Sequence, residues 1–180
     1  MIRNLSTNRT MLREFVENDW KQVHKYASQK DVCQFQPWGP NSEDDTKEFV
    51  RTILVDQKKI NRTRFALAII EKESDELIGS IEFNIRDEKN LIGEIGYIIN
   101  PSYWGKGFAT EAAKEIISFG FEQFKLHRVF ATCDVRNIGS AKVLEKCGLT
   151  LEGKMREDLL LRDGWRDTFL YSILEHEWSI

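Results

Sequence analysis

The chain has 180 residues, 41% apolar and 31% charged, with a formal net charge of −3 and a pI near 5.7. That length suits one domain spanning residues 1–180 with a sizeable core, and the acidic balance argues against a nucleic-acid partner held by gross charge. No apolar run approaches the roughly 18 residues of a membrane span, "MIRNLSTNRT" lacks a signal core, and Cys33, Cys133 and Cys147 have no CxxC spacing, so reduced thiols and a cytoplasmic setting are expected.

"TMLREF" (10–15) alternates as a first strand. "NDWKQVHKYA" sets Trp20, Val23 and Ala27 at helical spacing, with Asn18 as candidate cap. "PWGP" (37–40) reads as a loop. Ser42 and Asp45 open a second helix, whose apolar side carries Phe49, Val50, Ile53 and Leu54. The period then changes. "RFALAII" (64–70), "LIGSIEFNIR" (77–86) and "LIGEIGYIIN" (91–100), separated by short charged turns, predict an antiparallel meander. Pro101 ends its third strand. A helix over about 108–124 follows, with Ala112, Ala113, Ile116, Gly120 and Phe124 on its core side. "HRVFATCDV" (127–135) is a strand, and "NIGSAKVLEKCGL" (137–149) is a short helix stopped at Gly148. A hairpin around Asp163–Gly164 closes the chain. The order is β α α β β β α β α β β, an α+β fold with a mixed, mostly antiparallel sheet.

"WGKGFATE" (104–111) leaves a strand and opens a helix. The first N–H groups of a helix lack internal partners and carry partial positive charge. Glycines let a phosphate approach those groups without striking a Cβ. Gly105, Gly107 and Lys106 therefore read as a phosphate cradle; tight strand-to-helix packing is the ordinary alternative. The stretch fits neither GxxxxGK[ST] nor GxGxxG, since Thr110 stands at the third glycine position. His24, His127 and His176 lie far apart without ligand spacing, so no metal is expected.

"EIGYIINPSYWGKGFATEA" (94–112) followed by "HRVFATCDVRNIGSAKVLEKCGL" (127–149) resembles the GNAT acyl-CoA N-acetyltransferase superfamily. "LREFVENDW" and "EGKMREDLLLRDGWRDTFLYSILEHEW" resemble its Rim-type branch, which acetylates the N-termini of ribosomal proteins. The resemblance covers nearly the whole chain. Of the superfamily's Q/R-x-x-G-x-G/A pattern, Gly107 and Ala109 match the last two defined positions, while Trp104 stands where Gln or Arg is usual. The resemblance implies a central sheet with helices on both faces and acetyl-CoA as cosubstrate. It further implies that the N–H groups from Gly105 through Lys106, Gly107, Phe108 and Ala109 to Thr110 hold the pyrophosphate, beside Trp104. The pantetheine would run along Ile98 and Ile99, in a gap before the strand at 128–134, with Asn137 and Ser140 near its arm or thiol end.

Acetyl transfer to an amine needs the amine neutral. A lysine titrates near about 10.4 and an α-amine near about 7.7–8.0, so a base helps lysine more. Glu94 is the leading candidate base, because a glutamate at the matching strand position serves so in some relatives; Glu82 on the neighbouring strand is the second. The thioester oxygen needs a donor as it becomes an oxyanion, which a backbone N–H near Ile99 could supply. The tyrosine that many relatives carry after Asn137 is Leu144 here, leaving Ser140 as candidate proton donor; a helix-start role is its ordinary alternative. Cys133 suits a buried strand better than an acyl-enzyme. Trp38 and Trp165 are candidate pocket walls, and Glu43, Asp44 and Asp163 could draw a cationic amine. The expected acceptor is a ribosomal or other protein N-terminus. A small amine and a non-catalytic acyl-CoA-binding module are the alternatives, and an exposed sheet edge would permit a homodimer.

Overall fold

The computed structural model describes residues 4–178. The strands are β1 (Leu5–Ser6), β2 (Thr10–Glu14), β3 (Arg64–Glu71), β4 (Glu76–Asp87), β5 (Ile92–Ile99), β6 (Arg128–Asp134), β7 (Thr150–Leu161) and β8 (Gly164–Leu174). They form one sheet in the order β1-β2-β3-β4-β5-β6-β8-β7. Every neighbouring pair is antiparallel except β5 and β6. The helices are α1 (Trp20–Ala27), α2 (Lys30–Cys33), α3 (Glu43–Asp56), α4 (Phe108–Phe124) and α5 (Ile138–Lys146).

The order read from the sequence recurs, with β1 and α2 added; both are too short for a periodic pattern to mark them. Two local readings change. Asn18 lies inside a 3-10 turn, Glu17–Asp19, and does not cap α1. Asp19 leads into that helix, and its carboxylate accepts Val16 N–H at 2.8 Å and both Arg13 guanidinium nitrogens at 2.7 and 2.8 Å. In the hairpin, Leu161 pairs with Gly164. The turn itself is thus Arg162–Asp163, and Gly164 opens β8. Ser42 and Asp45 do form the predicted reciprocal cap of α3.

The sheet separates two apolar layers. Phe65, Leu67, Ile69, Ile81, Phe83 and Ile95 face α4, while Ala66, Ala68 and Ile70 face α1 and α3. This two-sided burial explains why "RFALAII" is a continuous apolar run rather than an alternating one. On the α4 side, the ring centroids of Phe65 and Phe83 lie 5.1 and 5.8 Å from that of Phe124. Gly120 permits this approach, since a Cβ there would stand 2.6 Å from a Phe83 ring carbon.

One irregularity positions the site. β5 and β6 pair only at Ile92↔Arg128, Gly93↔Val129 and Glu94↔Phe130. Beyond that point β5 follows β4 as far as Gly79↔Ile99, and β6 follows β8 as far as Asp134↔Thr168. The two strands splay. Asn100 N–H donates to the Ile78 carbonyl at 2.8 Å, so Ile98, Gly96 and Glu94 exchange bonds with β4. By alternation Tyr97 and Ile99 turn their backbone groups toward the gap, where β6 no longer supplies partners.

Candidate active site

The glycine loop lies at the open end of that gap. A 3-10 turn, Pro101–Tyr103, takes the chain out of β5. Trp104 Nε1 donates to the Ile99 carbonyl at 2.6 Å, leaving the Ile99 N–H turned to the gap. Gly105 and Gly107 have φ of 73° and 85°, a left-handed backbone that favours glycine. A Cβ on Gly105 would meet nothing within 4 Å, and one on Gly107 would meet only Arg9 Nη2 at 3.4 Å. Their glycine character therefore follows from backbone conformation and open approach, not from tight packing. Gly107 caps α4 without a side-chain hydrogen bond, so the first-turn N–H groups face outward with no side chain on them.

The neighbours of the loop are basic. Arg9 Nη1 donates to the Lys106 carbonyl at 3.1 Å, and Arg9 is held by Glu111 at 2.8 Å. An open cleft of about 560 Å³ is lined by Asn8, Arg9, Lys72, Lys106 and Phe108, with Glu71 and Glu73. Phe108 itself is core, with its side chain buried against α4's neighbours; toward a ligand it offers backbone alone. Ala109 is partly buried against the same layer. The Thr110 carbonyl lies 3.6 Å from Cys147 Sγ. Ile98 packs against the α1–α3 layer and Ile99 against the α4 layer, so the edge of β5 that borders the gap is main chain.

Across the gap, Asn137 Oδ1 accepts the Ser140 N–H at 3.0 Å and is the cap of α5. Ser140 is thus not itself the cap. Its Oγ lies 3.0 Å from the Tyr97 hydroxyl, a contact that neither residue's local sequence signals. Leu144 is fully buried. Burial pushes the Cys133 thiol up to about 11 and the Cys147 thiol up to about 12, as expected of structural rather than nucleophilic cysteines.

The two candidate bases differ in geometry. Glu82 is gripped by the Arg64 fork, Oε1 at 2.7 Å and Oε2 at 2.9 Å. Glu94 is ion-paired with Arg86 through Oε2, and its Oε1 has no hydrogen-bond partner among the described residues. Arg86 reaches Glu94 because the β4–β5 register shifts between Ile85 and Asp87, an irregularity invisible in the sequence. The loop and the hairpin that carry the expected pocket walls meet where Arg166 Nη1 donates to the Phe35 carbonyl at 2.7 Å. Trp38 packs into the α1–α3 layer, whereas Trp165 is 62% exposed. Asp163 is paired with Arg136 at 2.9 Å; Glu43 and Asp44 share Lys47 at 3.3 and 3.6 Å.

Comparison with known proteins agrees with this geometry. The family model for the acetyltransferase (GNAT) domain matches residues 9–150. An uncharacterized N-acetyltransferase of Bacillus subtilis, YnaD, is 37% identical over 98% of this chain and 99% of its own. The Escherichia coli ribosomal-protein-serine acetyltransferase is 30% identical over 73% of this chain and 71% of its own. A GNAT-family acetyltransferase crystal structure from Bacillus anthracis superposes with a TM-score of 0.85 at 34% identity, covering 97% of this chain and 99% of that one. A splayed strand pair ending in an uncapped glycine loop, together with a match over most of the length, leads to one statement: the chain belongs to the GNAT family of N-acetyltransferases, which draw their acetyl group from acetyl-CoA.

Proposed function

We propose that the protein moves the acetyl group of acetyl-CoA directly to the α-amine of a protein N-terminus, a ribosomal protein being the leading case. The observation that carries the choice of acceptor is the pairing of the acids. Glu94 binds Arg86, Glu82 binds Arg64, Asp134 binds Arg136, Glu14 binds Arg62 and Asp19 binds Arg13. A polyamine or aminoglycoside carries several charges and favours a well of free carboxylates; these acids are already neutralised. An α-amine brings one charge and sheds its proton near about 7.7–8.0, so one half-free carboxylate suffices. The 30% identity to a ribosomal-protein-serine acetyltransferase supports the same choice.

In this reading the pyrophosphate rests on the N–H groups of Gly105–Thr110, and the pantetheine fills the gap beside Tyr97 and Ile99. The amine nitrogen attacks the thioester carbon. The C–N bond forms, the C–S bond breaks, and the electron pair leaves on sulfur. The amine proton reaches Glu94 Oε1 through water, and a backbone N–H of β5 that faces the gap donates to the carbonyl oxygen while it carries negative charge. The buried, protonated Cys133 takes no covalent part.

A thiol-release assay with acetyl-CoA and a panel of acceptors tests this. Peptides with a free N-terminus should be turned over, and the same peptides with a blocked N-terminus should not. A polyamine or an aminoglycoside as the best acceptor would overturn the assignment.

A further inference from the structure

The turn between β1 and β2 reaches the glycine loop from far away in the chain. Arg9 stands in that turn, 97 positions from Lys106. Its guanidinium is used on two edges. Nε donates to Glu111 Oε2 at 2.8 Å, and Nη1 donates to the Lys106 carbonyl at 3.1 Å. Its central carbon also lies over the Phe108 ring, 4.4 Å from the centroid. One side chain thus ties the glycine loop and the first turn of α4 to the hairpin.

Glu111 is held from its other oxygen as well. Oε1 accepts the Arg9 N–H at 2.7 Å and the Thr7 hydroxyl. Burial opposes the charge on Glu111, but the bonds from Thr7 and Arg9 outweigh it and keep the carboxyl below its usual range. An anion in the first turn of a helix competes with a phosphate for the same field. Here that anion is paired, and it is turned to the hairpin.

Peptide geometry gives the Arg9–Lys106 bond a consequence. The Lys106 carbonyl and the Gly107 N–H belong to one trans peptide unit and point in opposite directions. With the carbonyl fixed on Arg9, the Gly107 N–H points away from that guanidinium. It has no backbone partner among the described residues. Glycine takes φ of either sign, so this unit can turn over unless something holds the carbonyl. A turned-over unit would present oxygen, not N–H, to an incoming phosphate.

We propose that Arg9 is a positioning residue for the cosubstrate's pyrophosphate: by gripping the Lys106 carbonyl and Glu111 at once, it keeps the Gly107 N–H turned to the phosphates. The inference rests on the reading that the pyrophosphate lies on Gly105–Thr110. The role belongs to binding and not to the chemical step. It also requires two bonds from one rigid fork, which arginine supplies and a single ammonium does not.

Dissociation constants for two donors test this. One is acetyl-CoA; the other is S-acetylpantetheine, which carries the same arm without pyrophosphate or nucleotide. Arg9→Met should weaken acetyl-CoA about tenfold, the scale of one hydrogen bond to a charged group, and change S-acetylpantetheine less than about twofold. Equal weakening of both donors would mark a general loss of structure, and unchanged acetyl-CoA binding would mean that the loop needs no such hold; either result overturns the proposal. Arg9→Lys should stay within about threefold of Arg9→Met; affinity closer to wild type would make Arg9 a simple counter-charge and overturn the positioning role. Glu111→Gln tests the sign. Removing an anion beside the phosphates tightens binding by charge alone, whereas releasing Arg9 weakens it several-fold, so unchanged or tighter binding overturns the proposal. A wild type that binds both donors equally well would instead overturn the placement of the pyrophosphate on the loop.

Discussion

Glu94 offers one carboxylate oxygen to Arg86 and keeps the other free. If that oxygen takes the amine proton, Glu94→Gln should lower kcat by about 10²-fold at neutral pH. The deficit should narrow above a pH of about 8, where an α-amine deprotonates unaided; a deficit constant with pH would point to a structural role. The thiols give a prediction of the opposite kind. Burial raises Cys133 to about 11 and Cys147 to about 12, above the unfolded value of about 8.5. Between those limits the folded chain binds more protons than the unfolded one. The associated stability is complete below a pH of about 8.5 and is lost as pH rises through 11 and 12. Melting temperature should fall steadily above a pH of about 9, and thiol reagents should label the native protein slowly at a pH of about 8. Fast labelling of Cys133 would contradict its burial. Single-residue chemistry was only partly legible in the sequence. Glu94 and Ser140 were identifiable as candidates by their places in the motifs, whereas the contacts of Arg86 with Glu94 and of Tyr97 with Ser140 depend on strand register and on the packing of α5.

At the scale of elements, period carried most of the information. The buried faces of α3 and α4 follow their apolar spacing, and β3, β4 and β5 lie where the apolar runs put them. The short pieces β1 and α2 escaped because two and four residues set no period. The splay of β5 from β6 was legible only through the family resemblance, since local sequence does not encode where a pairing stops. The packing of α4 makes its own prediction. Gly120 faces the Phe83 ring so closely that any Cβ must displace it. Gly120→Val should cost about 1–3 kcal/mol by overpacking, read as a lower denaturation midpoint in urea with an unchanged slope. A neutral result would mean that α4 can lift from the sheet without loss.

Over the whole molecule, donor and acceptor sides differ in how sequence encodes them. Most of the proposed donor side comes from one stretch: β5, the glycine loop and α4 run from Ile92 to Phe124, with Asn137 and Ser140 joining from the start of α5. The proposed acceptor side draws on distant ones. Arg166 on β8 donates to the Phe35 carbonyl at 2.7 Å across 131 positions, and Arg136 bridges Asp134 and Asp163. Trp38 and Trp165 looked alike as aromatic residues in loops, yet folding packs one partly into the α1–α3 layer and leaves the other exposed. Local windows could therefore read the acetyl donor and not the shape that receives the amine.

The central claim is that acetyl-CoA lies between β5 and β6 with its phosphates on the glycine loop. Amide hydrogen exchange with and without saturating acetyl-CoA tests it most directly. Exchange should slow at the N–H groups of Gly105–Thr110 and at those of Tyr97 and Ile99, which face the gap without a partner on β6. Unchanged exchange at those positions, with protection appearing elsewhere on the sheet, would contradict it.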